Sequence, residues 1–389
     1  MARRTAMWQA FLAPAVNVVP GSLTVLDPYW GGVAAEFAWN HASLPGSDEE
    51  RFGGSDGEEL VAELISSAIE GRDGQVSDQA PLTDLARHRG LIDAVDLLWA
   101  VAMDRSAAAE AGELAGLAVA ALAYAERHPR PGWLGAVGDD REFLARLLDE
   151  AVPAVPAGSE IFGGGAGGRR AAVGRLREGL GRVASAVPRG ATSGVLKLTR
   201  SRTHRSVSVF LGDVLCYLRQ REANGAQAPI ASTVAAAIEE ASRARTADDS
   251  SLVVVAHSMG GNIVYDLLSH LRTDLTVDIL VTVGSQVGVF AELGLLPAVS
   301  PPADPAVDRV PPLANVGRWL NVFDGNDVLA FTAGRIFHAA EDFRYSTGRG
   351  LLHAHSAYFL RPSFHRTLAA CLTQPGTPLE PPGPGNGGA

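Results

Sequence analysis

The sequence predicts an α/β protein: a mostly parallel sheet with helices on both faces, and a large helical insertion ahead of its main part. Three observations predict it. Leu252-Val253-Val254-Val255 and Val277 to Val283 are short apolar runs rich in β-branched residues, the pattern of strands buried on both faces. Between them Ile263, Val264, Leu267, Leu268 and Leu271 recur at helical spacing, and a third run, Trp319 to Phe323, follows. Residues 46–199 are Ala-rich and helical by pattern.

Four zones follow from this reading. Zone 1–45 opens with Met1 to Val16, an ordinary helix by pattern. Gln9 interrupts the apolar run, and bulky Trp8 and Phe11 do not suit a signal peptide. Leu23-Thr24-Val25-Leu26 then reads as a strand leading into a turn, Asp27-Pro28-Tyr29-Trp30-Gly31-Gly32.

Zone 46–199 is the helical insertion, a cap by position, with the Gly-rich run Gly163 to Gly168 as linker or hinge. Residues 169–205 hold ten Lys/Arg and one acid. Val173, Leu176, Leu180, Val183 and Val187 form a stripe that Arg175, Arg177 and Arg182 avoid. Such a helix lies on an anionic membrane through 169–188, or packs its stripe on the core with its Arg face near the acidic loop Asp48 to Glu63. The second reading is favoured.

Zone 200–372 is the main α/β part. Ser206 to Leu211 alternates like a strand, and Ile230, Val234, Ile238 and Ala241 mark a helix. Zone 373–389 is Pro/Gly-rich, with too little apolar content to pack, and reads as disordered.

Composition excludes several function classes. The formal net charge of -10 argues against nucleic-acid binding through bulk charge. Two cysteines, Cys216 and Cys371, suit a reducing compartment and offer no metal-ligand spacing. The longest uncharged helical run, Leu114 to Ala125, is too short to span a bilayer. A soluble, cytoplasmic protein without metal or cofactor is expected; its oligomeric state is not readable.

Chemistry concentrates at Ala256-His257-Ser258-Met259-Gly260. This is the G-x-S-x-G elbow with Ala first, set between a buried strand and an amphipathic helix. The tight turn calls for small residues two before and two after the serine, as Ala256 and Gly260 are. Ser258 is the expected nucleophile, and the Met259 N–H, at a helix N-terminus, the expected oxyanion donor. A nucleophilic serine needs a base, and the base an orienting acid, in the order Ser, Asp, His for this class. Asp324 and Asp327 follow the third strand, and Asp327 is favoured because it sits in the loop above the sheet edge. Of His338, His353, His355 and His365, His355 is the expected base and His353 the alternative. Substrate contacts are expected from Ser285 and Gln286 at the end of the second strand, and from His257, which also suits a packing role under the elbow.

These residues carry a resemblance. Val254 to Asn262 is similar to the elbow of lipase-like α/β-hydrolases, most of all to the branch of GPI inositol-deacylase-like and related bacterial serine hydrolases. Asn321 to Val328 resembles that branch's acid loop, which places the acid at Asp327, and His355-Ser356-Ala357-Tyr358 resembles its histidine segment. The resemblance covers about 200–372. It implies an α/β-hydrolase-like core with this triad but does not specify the substrate; a small-molecule or lipid ester is the expected substrate. It departs at the N-terminus: the chain has no His-Gly dipeptide, so the second oxyanion donor is unassigned and the chain reads as starting downstream of the usual first strand. The rival readings are an acyltransferase, or a catalytically impaired binding or scaffold protein.

Overall fold

The computed structural model describes residues 2–16, 18, 22–39, 42, 80–104, 106–152, 166–186, 194–247, 249–348 and 354–373. The disordered-tail expectation, the acidic loop Asp48 to Glu63, Gly163 to Gly165 and His353 lie outside the described residues. The protein has an α/β fold in which a small parallel sheet is surrounded by helices.

The helices before the sheet are α1 (Ala2–Ala15), α2 (Pro81–Arg89), α3 (Leu91–Asp104), α4 (Ala108–Arg127), α5 (Asp140–Ala151), α6 (Ala166–Ala186), α7 (Gly194–Asn224) and α8 (Pro229–Arg243). The sheet zone then alternates β1 (Val253–His257), α9 (Met259–Asp266), β2 (Val277–Val283), α10 (Val287–Glu292), β3 (Val316–Phe323) and β4 (Ala340–Arg344). It closes with α11 (Ala354–Ala357) and α12 (Pro362–Thr373). The four strands lie in the order β1-β2-β3-β4, all parallel, so each crossover runs through the connecting segments between strands.

Alternation along the strands divides the core in two. Val281, Val283, Leu320 and Val322 face one layer, with α1 to α6 and α12. Leu280 and Trp319 face the other, with α7, α8 and α9. The expected strands are present: β2 has the expected bounds, β1 starts at Val253, and β3 starts three residues early. The helix expected around Ile230 to Ala241 is α8.

Two strand expectations are corrected. Ser206 to Leu211 lies inside α7, where Phe210, Val214 and Tyr217 fall one turn apart. That longer 3.6-residue period outweighs a brief alternation. Leu23 to Leu26 stays outside the sheet. Its Thr24 N–H donates to Asp249 at 3.2 Å, and Gln9 on α1 donates to the Leu23 carbonyl. The segment runs beside the edge of β1 across a cavity of about 380 Å³.

The described helices of this zone pack as a core layer, and none of its described residues before α7 lines the cleft described below. The boundary expected at 199/200 falls within α7. Ala166 to Gly168, taken from the expected linker, open α6. The α6 stripe is a core face, with Ala172, Leu176, Leu180 and Val183 buried, so it is not free to lie on a membrane. Arg175 pairs with Glu110 at 2.8 Å and Arg182 with Asp104 at 3.0 Å. Helix α4 is long and apolar enough to cross a membrane by length and composition, more than its uncharged run suggested. Half of its most apolar stretch is buried, and the Leu114 carbonyl accepts from Trp99 Nε1 at 2.8 Å.

A buried charge cluster ties the helical layer to the segment after α11. Arg361 donates to Asp96 at 2.7 Å and to Asp93 at 2.8 Å, and the Ser363 N–H donates to Asp96 at 2.9 Å. Arg361 and Asp96 are almost wholly inaccessible. Removing Asp96 leaves the buried Arg361 with only the partly exposed Asp93 opposite it. Asp96→Ala is therefore expected to lower stability by about 3–5 kcal/mol. Urea unfolding measures this; a loss below about 1 kcal/mol would show that Arg361 finds other solvation.

Candidate active site

Strand β1 ends at His257 and α9 begins at Met259, so Ser258 is the whole turn between them. Its backbone has φ 54° and ψ -129°, and among the described residues it alone takes a positive φ without being glycine. Such a conformation costs on the order of 1–3 kcal/mol and persists where the surroundings enforce it. Here the Ser258 N–H donates to the Val283 carbonyl at 2.9 Å, and its own carbonyl accepts from the Gly261 N–H at 3.0 Å. The Met259 N–H stands at the first turn of α9, where an amide has no intrahelical partner.

The steric pinch falls one residue later than expected. A methyl group at Gly260 would meet nothing closer than Ala256 Cβ at 4.0 Å. At Gly261 it would lie 2.2 Å from Ser285 Oγ. The glycine that lets α9 sit this close to the end of β2 is Gly261.

Three of the expected residues come together. Ser258 Oγ lies 2.8 Å from His355 Nε2. His355 Nδ1 lies 2.9 Å and 3.1 Å from the two Asp327 carboxylate oxygens. Asp327 also accepts from the Tyr358 hydroxyl at 2.9 Å and from the Leu329 N–H at 2.9 Å. These donors suit an ionised, buried carboxylate. Burial and the Asp327 charge push the Tyr358 phenol far up, so it stays a donor. Gly284, at φ 57°, clears the space: a Cβ there would sit 2.9 Å from Asp327 Oδ2.

Asp324 does different work. Its Oδ2 accepts from the Thr347 N–H and hydroxyl, both at 2.6 Å, and its Oδ1 from the Asn326 N–H at 2.9 Å. Its N–H donates to the Tyr358 hydroxyl at 2.9 Å. Asp324 thus builds the loop, and Asp327 faces the histidine.

His257 Nε2 lies 2.8 Å from the His355 carbonyl, and the two rings are 4.7 Å apart. Its ring lines the cleft but is spent holding the His355 backbone. Ser285 and Gln286 do not line the cleft, contrary to expectation. Gln286 bonds the Gly284 and Leu329 carbonyls and accepts from Asn262, clamping the acid loop to α9. Ser285 Oγ is buried under Gly261. His365 is a core residue donating to the Phe359 carbonyl at 3.1 Å.

A cleft of about 480 Å³ opens over Ser258, with Met259, His257 and His355 on its floor. Its walls are Trp30 and, from α7, Val209, Phe210 and Asp213. Trp30 lies in the segment the sequence reads as a turn, where it suits core or cleft wall, and the α7 residues do not stand out because Ser206 to Leu211 reads as a strand. Trp30 and His257 also line the cavity beside β1.

Burial lowers His257 to about 4, with the neighbouring His355 adding to the effect, and burial alone lowers His365 to about 4. Both folded values lie below the unfolded value near 6.5, so the unfolded chain takes up protons first as pH falls. Their contribution is complete above about pH 6.5 and is lost towards pH 4, on the order of 1.4 kcal/mol per unit and per histidine. The urea midpoint is expected to fall between pH 6.5 and 4.5, and less steeply in His365→Gln. An unchanged slope in that variant would contradict the neutral, buried imidazole.

Compared with protein-family models, curated proteins and solved structures, the chain matches none of them.

Proposed function

We propose that the protein is a serine hydrolase that cleaves carboxylic esters, lipid esters included, through an acyl-enzyme. One observation carries the reading: a strained serine at a strand-to-helix turn, 2.8 Å from an imidazole whose other nitrogen meets a buried carboxylate. With Asp327 ionised, His355 carries its proton on Nδ1, and Nε2 is free to accept from Ser258. Ser258 Oγ attacks the ester carbonyl while His355 takes the hydroxyl proton and then gives it to the leaving alcohol. Asp327 holds the tautomer and stabilises the imidazolium. Water repeats the sequence to release the acid. The Met259 N–H supports the oxyanion from the helix N-terminus.

We read the sheet as α/β-hydrolase-like on the same grounds. Ser258 follows β1, Asp327 follows β3 and His355 follows β4, the chain order Ser, Asp, His of that class. The free, buried thiols Cys216 and Cys371 fit a reducing, cytoplasmic setting. A scaffold without activity would gain nothing from the strain at Ser258, which favours the enzyme over that rival.

p-Nitrophenyl esters of increasing acyl length test the proposal. The expected result is a burst of p-nitrophenol matching the enzyme concentration, then steady turnover. Neither burst nor turnover with folded protein, at any chain length, would refute it.

A further inference from the structure

We propose that Asp213, with Trp30, makes the Ser258 cleft selective for esters that carry a cationic ammonium group. This rests on the ester-hydrolase reading and adds its substrate class.

Among the described residues Asp213 is the only fixed charge that lines the cleft, and no described lysine or arginine does. Its Oδ1 accepts from the Ala35 N–H at 3.2 Å. Among the described residues no arginine or lysine pairs with it. A half-buried carboxylate without a counter-charge is a cost to the free protein, and a bound cation removes that cost. Burial holds its carboxyl above the usual range, as a missing cation would leave it.

The other walls agree. Trp30 and Phe210 bring aromatic rings into the same cleft, and ring faces attract ammonium groups. Val209 and Asp213 lie one turn apart on α7, so the helix presents an aliphatic and an anionic group on one side. Among the described residues an anionic head group would meet Asp213 and no cation. A molecule of net charge -10 also draws cations towards it.

The test compares butyrylthiocholine with its neutral isostere, 3,3-dimethylbutyl thiobutyrate, which has carbon in place of nitrogen. The wild type is expected to favour the cationic ester in kcat/KM by about 10-fold, the combined effect of one ion pair and one ring contact. Asp213→Asn keeps an acceptor for Ala35. It is expected to bring the ratio near 1 while still cleaving the neutral ester. Trp30→Leu should reduce the ratio part of the way. Equal or better cleavage of the neutral ester by wild type, an undiminished ratio in Asp213→Asn, or no cleavage of either ester would overturn the proposal. In that last case fluorophosphonate labelling separates the two readings. Labelled Ser258 leaves the hydrolase standing with this specificity refuted, and an unlabelled protein sinks both.

Discussion

Asp327→Asn is expected to lower kcat by on the order of 10⁴-fold while leaving the fold intact. With its amide oxygen in the Oδ1 place the variant still accepts from the Leu329 N–H, and its NH2 takes the Oδ2 place between His355 Nδ1 and the Tyr358 hydroxyl, whose oxygen can accept from it, so the loop keeps its shape. What changes is the proton on His355. An amide that donates to Nδ1 forces the proton onto Nε2, where it faces Ser258 and cannot accept the hydroxyl proton. Asp324→Asn is the control. It disturbs the contacts to Thr347 and costs stability, but leaves the tautomer alone. Its kcat per folded molecule should stay within about 10-fold of wild type, since no hydrogen bond to the histidine is lost. Steady-state kinetics on both variants decide the matter; a severe loss in Asp324→Asn with a mild one in Asp327→Asn would reverse the assignment.

The larger effect belongs to Ser258→Ala, expected to reduce kcat by on the order of 10⁶-fold. Without the hydroxyl no acyl-enzyme forms, and only water positioned by His355 remains. The alanine inherits the same backbone, φ 54°, so stability should change little. A kcat loss under about 100-fold would mean that another group attacks, because the oxyanion site and binding alone account for the residual rate in such enzymes.

Much of the sheet was legible because β1 and β2 carry runs of β-branched apolar residues: β2 is mostly buried between its neighbours, and β1 keeps its valines although it is half-buried at the sheet edge. Strand β4 was not. It lies at the sheet edge with the sequence Ala-Glu-Asp-Phe-Arg, of which only Phe343 is buried. Such a strand carries no periodic signal. Ser206 to Leu211 misled because six residues barely separate a period of 2 from one of 3.6 when the helix is also partly exposed.

In the site, Ser258, Asp327 and His355 were legible because their chemistry demands an order and a setting. Gly261 was not. The need for a bare backbone there comes from Ser285, a residue on another strand end, and only the packed structure brings them together. Gln286 misled for a related reason. A polar residue at a strand's carboxyl end reads as a ligand contact, yet every polar atom of its side chain is taken by the protein. Asp213 and Trp30 lie on elements far apart in sequence that only the fold places around one cleft.

The most direct measurement is mass spectrometry of the folded protein after treatment with a fluorophosphonate. One phosphonyl adduct per chain is expected, on Ser258, formed far more slowly in Asp327→Asn and absent in Ser258→Ala. No adduct on the wild type, or an adduct on a different serine, would contradict it.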